Sequence, residues 1–154
     1  MPNWIKGTMK LRGQSEDLKR FFKDGVGKSS WFEDDARPIA DFVQTDFDGE
    51  WCEVTFKSEP WIKGTRRAFI EGDYVGWGES FATIAIEVKQ AWGFDTEAFA
   101  EISKKYNLDI RLYGFERGME FCQEIEIIKG KITINKEITY DDWVWECPMP
   151  NMGG

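Results

Sequence analysis

Thr83-Ile84-Ala85-Ile86-Glu87-Val88, then Trp92-Gly93-Phe94-Asp95, then Phe99, Ile102 and Tyr106 spaced three and four residues apart: on this stretch the reading of the fold turns. The first run is rich in β-branched residues and predicts a strand. Asp95 stands where a carboxylate can accept backbone N–H bonds at a helix start. Phe99, Ile102 and Tyr106 make one apolar stripe, with Glu97, Glu101, Lys104 and Lys105 on the solvent side. Asn107 suits a left-handed helix stop. Leu108, Ile110 and Leu112 then alternate with Asp109, Arg111 and Tyr113, predicting a strand with one buried face. Glu116-Arg117-Gly118 turns the chain into a returning strand lined by Met119, Phe121, Ile125 and Ile127, and Lys129-Gly130 turns it again into Ile132 and Ile134.

Toward the N-terminus, Ile5, Gly7, Met9 and Leu11 alternate with Lys6, Thr8, Lys10 and Arg12, a strand that Gly13 ends. Ser15 is positioned to cap a short helix to residue 24, with Leu18, Phe21 and Phe22 as its apolar face and Gly25 as its stop. Residues 26–40 show no clean period and read as an irregular loop. Asp48-Gly49 is a candidate type I′ hairpin turn. Folding back there pairs Val43 with Val54 and Thr45 with Cys52, and places Phe47 and Phe56 on the same core face. Gln44, Asp46, Trp51, Glu53 and Thr55 fall on the polar face. Residues 61–82 are ambiguous, with Arg67-Ala68-Phe69-Ile70 as one strand candidate and turns around Gly72, Gly76 and Gly78. In the tail, Trp143 and Trp145 are expected to pack down and the last residues to fray.

At 154 residues the chain is expected to form one domain, 1–154, with an acidic inserted region at about 26–82. Charges interrupt its first twenty residues, unlike a secretory leader, and no apolar run reaches the length of a membrane span. Cys52, Cys122 and Cys147 are odd in number and lie outside any C-x-x-C pairing, which fits free thiols in a cytoplasm. Histidine is absent, and with it the commonest neutral-pH base and metal ligand. The net charge of −8 opposes generic attraction to nucleic acid. Acidity is concentrated: residues 33–59 hold nine acids against Arg37 and Lys57, whereas residues 1–32 hold seven Lys or Arg against three acids.

Familiar motifs fail on context. Gly25-Val26-Gly27-Lys28-Ser29 lacks the first glycine of a phosphate loop, since Phe22 stands in its place, and it follows a helix rather than a strand. Asp46-x-Asp48-Gly49 lacks the remaining acids of a calcium loop. Gly76-x-Gly78 lacks the third glycine of a dinucleotide site. No base accompanies any Ser or Cys in a nucleophile pattern, and adjacent acids such as Asp141-Asp142 are the ordinary solvated kind. No catalytic residue, cofactor or metal is expected.

Met1-Pro2-Asn3-Trp4 with Leu11-Arg12-Gly13, then Gln90-Ala91-Trp92, Ser103-Lys104-Lys105-Tyr106, and Phe115-Glu116-x-Gly118-x-x-Phe121, resemble segments of the YubB-type family of ferredoxin-like phage and plasmid proteins. The likeness covers residues 1–24 and 83–128. Gly93 and Phe94 stand where the family has prolines, and no glycine closely follows Phe121. The resemblance implies a split β-α-β sheet and residence in mobile elements, without an assigned activity. Together with the periodicities it gives the expected fold class. That class is α+β, a ferredoxin-like two-layer sandwich with an antiparallel sheet, two helices on one face, an inserted hairpin and extra C-terminal strands.

The expected function is a non-enzymatic, acidic protein-binding module encoded by a phage or mobile element and acting in the host cytoplasm, with no membrane partner and no direct nucleic-acid binding. Its partner-binding residues are Glu33, Asp34, Asp35, Asp46, Asp48, Glu50, Trp51 and Glu53, which would meet a host protein with a basic surface. The concrete form is charge mimicry against a host nucleic-acid-binding defence protein, anti-CRISPR inhibition included. The alternative is an RNA- or single-strand-binding domain, for which Lys6, Lys10, Arg12, Arg66 and Arg67 are the available cations.

Overall fold

The alternation that begins at Trp4 builds the central strand of a large sheet. The computed structural model of the chain describes residues 1–29 and 36–154. Its elements run β1 (Trp4–Gly13), α1 (Ser15–Asp24), β2 (Val26–Gly27), a 3-10 turn (Ile39–Asp41), β3 (Val43–Asp46), β4 (Trp51–Phe56), β5 (Trp61–Ile62), β6 (Ala68–Ile70) and β7 (Tyr74–Gly78). Then follow β8 (Ala82–Ala91), α2 (Thr96–Tyr106), β9 (Asp109–Glu116), β10 (Phe121–Ile128), β11 (Lys131–Ile138) and α3 (Trp143–Glu146). Eight strands form one sheet in the order β11-β10-β9-β1-β8-β6-β5-β2, and β3-β4-β7 form a second.

This arrangement corrects the expected fold class. Strand makes up 45% of the chain against 19% helix, so the fold is largely β and not a ferredoxin-like two-helix sandwich. β1 runs antiparallel to both β8 and β9, so those two strands are parallel to each other on either side of it, joined by α2. The difference comes from residues 26–82. Three strands of two or three residues there (β2, β5, β6) extend the large sheet, and β3-β4-β7 build the second one. Strands that short carry no readable period.

The main core lies between the large sheet and the helices. Leu18, Phe21 and Phe22 of α1 and Phe99, Ile102 and Tyr106 of α2 pack with Ile5, Met9, Leu11, Ile86, Ile110, Leu112 and Ile125 from the strands, and Phe121 joins the margin half-buried. The small sheet adds Cys52, Val54, Phe56, Val75 and Trp77 to the same core, with Phe22 stacked on Trp77 at 5.5 Å between ring centres. Both α2 boundaries form as the sequence predicts: Asp95 accepts the Ala98 N–H at 3.3 Å, and Asn107 adopts φ 55°. Ser15 does not cap. Gln14 occupies that position, and Ser15 is buried with its hydroxyl accepting the Trp77 indole N–H at 2.9 Å.

On the opposite face of the large sheet, Phe115 and Cys122 pack with Trp143 and Cys147, and with Tyr113, Ile138, Tyr140 and Met152 at the margin. The tail is therefore tied down rather than frayed. Trp143 donates to the Pro150 carbonyl at 2.9 Å, and the Gly154 N–H donates to the Trp4 carbonyl at 2.8 Å. Only one of the two expected tail tryptophans packs, since Trp145 is 86% exposed. Met119, expected to line the returning strand, is exposed in the turn before β10. That turn is organised by Glu116, whose buried carboxylate accepts the Gly118 and Met119 N–H groups at 2.6 and 2.7 Å.

Candidate protein-binding face

The acidic hairpin forms, with a different turn. Val43 pairs with Phe56, Thr45 with Val54 and Asp46 with Glu53, a two-residue offset from the expected register. Gly49 is not left-handed, as a type I′ turn requires. A four-residue connection replaces it, with Asp46 Oδ1 accepting the Asp48 N–H at 3.3 Å. A shift of two residues preserves the faces. Val43, Cys52, Val54 and Phe56 are buried, and Gln44, Asp46 and Trp51 are exposed; Thr45, expected in the core, is exposed at the sheet edge. Phe47 packs on the core margin, with the ammonium groups of Lys19 and Lys23 lying 5.9 and 5.2 Å from its ring centre, so the connection is held against α1.

The outer face of the small sheet has a specific build. Glu53 lies opposite Gly76 of β7, and Trp51 opposite Gly78. A Cβ at Gly76 would fall 2.5 Å from the Tyr74 hydroxyl and 2.7 Å from the Trp51 indole nitrogen, so the missing side chain is the space those groups occupy. There Trp51 donates its indole N–H to the Tyr74 hydroxyl at 3.0 Å, and that hydroxyl donates to Glu53 Oε1 at 3.2 Å. Both rings stay open to solvent, Trp51 at 54% and Tyr74 at 52%. Asp46, Asp48 and Glu50 are exposed beside them and Glu53 is half-buried. Among the described residues, none of these four carboxylates has a cationic partner within ion-pair distance. Glu16, Asp17, Glu59 and Asp109 elsewhere do, paired with Lys19, Arg20, Lys89 and Arg12.

The structure thus brings Asp46, Asp48, Glu50, Trp51 and Glu53 together on one hairpin. Glu33, Asp34 and Asp35 lie outside the described residues. Tyr74 belongs to the face, and sequence reading missed it because Gly76 and Gly78 look like turn residues until β7 is paired with β4. The cations on the open part of the large sheet are largely neutralised within the molecule: Arg12 by Asp109 at 2.7 Å, and Arg111 by Glu124 and Glu126 at 3.2 and 3.4 Å. No group of three or more metal-ligating side chains occurs among the described residues, and none of their helices is long and apolar enough to cross a membrane. Comparison with known proteins finds no matching family model, curated protein or solved structure, so the functional reading rests on this geometry.

Proposed function

We propose that this chain is a non-enzymatic protein-binding module whose hairpin face docks on a basic protein surface, one that otherwise holds nucleic acid. Inhibition of a host nucleic-acid-binding defence protein by charge mimicry is its concrete form. The observation that carries this reading is the exposed Trp51–Tyr74 pair, held by hydrogen bonds and set among four carboxylates that have no cationic partner among the described residues. Large, stiff aromatic groups make efficient interface anchors. Surrounding charges of one sign steer a complementary partner and speed its arrival. Carboxylates meant only for solubility need no ordered aromatic pair between them.

The test is affinity capture from nuclease-treated lysate with the unaltered chain and with a variant carrying Asp46→Lys and Glu53→Lys. Nucleic-acid-binding proteins captured at low salt, released by high salt and lost with the variant support the reading. Equal capture by both proteins removes it.

A further inference from the structure

Cys122 and Cys147 meet from two elements that are fixed independently. Cys122 lies within β10, paired with Phe115 of β9 on one side and Ile138 of β11 on the other. Cys147 caps the end of α3, its N–H donating to the Trp143 carbonyl at 3.1 Å. That single turn is itself locked, since Asp142 accepts the Trp145 N–H at 3.2 Å and Glu146 accepts the Asp142 N–H at 2.8 Å. The two cysteines come together in one buried cluster with Phe115 and Trp143, at 0% and 4% exposure. Their thiols lie within interaction range of one another, with the Tyr140 hydroxyl beside Cys122.

Both thiols are free. Packing alone does not call for two of them side by side: Cys52 fills its place in the main core against the Ser15 hydroxyl at 3.6 Å, with no other cysteine among the described residues of that cluster. The contact also spans a boundary that is otherwise held without covalent bonds. Trp143 donates to the Pro150 carbonyl and Gly154 to the Trp4 carbonyl. Residues 148–154 thereby wall a groove of about 620 Å³ with Trp4, Lys6 and Lys89. Burial, and after it the neighbouring Cys147, pushes the Cys122 thiol up to about 12. While packed it stays protonated near neutral pH and is a poor nucleophile. Reaction therefore starts in molecules whose tail has opened locally.

We propose that Cys122 and Cys147 form an intramolecular disulfide when a low-molecular-weight disulfide is the oxidant, fastening the tail across the large sheet and fixing one wall of the groove. On local opening the Cys147 thiol, which lifts with the tail, loses its proton and attacks the oxidant. One sulfur of the oxidant bonds to Cys147 and the other leaves as a thiolate. The Cys122 thiolate then attacks the Cys147 sulfur, and the second half of the oxidant leaves. Two protein thiols are oxidised to one disulfide, the oxidant is reduced to two thiols, and the two protons end on those. A link between sheet and tail restricts the unfolded chain, so the oxidised protein melts higher. The hairpin carries no part of this site, and the proposal stands apart from the docking reading.

The test is incubation of the folded, unaltered chain with excess oxidised glutathione at mildly alkaline pH, then alkylation, digestion without reduction and mass spectrometry. The expected product is a single chain whose thiol count has fallen from three to one. In it the peptides of Cys122 and Cys147 are joined and Cys52 is alkylated. Its melting temperature is several degrees above that of the reduced protein and returns on treatment with dithiothreitol. The link still forms in Cys52→Ser. A count that stays at three, glutathione retained on either cysteine as the end product, or linkage through Cys52 or between chains would each overturn the proposal. So would an oxidised form that melts no higher than the reduced one.

Discussion

The indole N–H of Trp77 donates to the hydroxyl of Ser15 at 2.9 Å, and both residues are buried. This bond ties the small sheet, and with it the acidic hairpin, to the first turn of α1. Ser15→Ala would leave the indole N–H unpaired in the core and should cost about 1–3 kcal/mol. Ser15→Asp separates this role from capping. A helix cap would welcome the carboxylate, whereas a charge in this buried site should lower the melting temperature sharply. Thermal unfolding of the two variants checks both expectations.

Gly76 sets the position of the Trp51–Tyr74 pair. In Gly76→Ala the new methyl group meets the outer ends of two exposed side chains. The fold should therefore tolerate it, and the pair should move. The expected outcome is a melting temperature close to that of the parent protein with clearly weaker capture of basic partners. A large loss of stability would show that the glycine serves the fold instead.

Alkaline stability should depend on the cluster behind the large sheet. Burial, reinforced by neighbouring Cys147, pushes the Cys122 thiol from 9.0 up to about 12. Burial likewise raises Tyr113 and Tyr140. Between pH 9.0 and about 12 the unfolded chain has released the Cys122 proton and the folded chain retains it. Stability from this group is thus complete below the lower value and lost as pH rises through the window. Melting temperature should fall across that range, with a shallower slope in Cys122→Ala. Equal slopes would remove Cys122 as a contributor.

Local chemistry made part of this fold legible. The alternation of β1 and β9 and the boundary residues Asp95 and Asn107 each act within a few positions, and the structure contains them as expected. The strands of residues 26–82 depend on distant partners: Trp61 pairs with Gly27 and Phe69, and Ala68 with Gln90. No local period announces such contacts, and the ferredoxin-like expectation failed on them. Ser15 misled for a related reason, because its partner lies 62 residues away. On the hairpin, period-two alternation placed Asp46 and Trp51 on the outer face despite the register offset. Tyr74 became visible only once β7 was set beside β4.

The central claim is that the hairpin carboxylates and Trp51 bind a basic protein surface. Its most direct measurement is a titration of a captured basic protein, purified free of nucleic acid, against the unaltered chain and the Asp46→Lys, Glu53→Lys variant, with melting temperatures taken in parallel. The account predicts affinity that falls with rising salt, drops by at least about tenfold on charge reversal, and is lost without a change in melting temperature. Full affinity in the charge-reversed protein would contradict it and leave these acids as solubility residues.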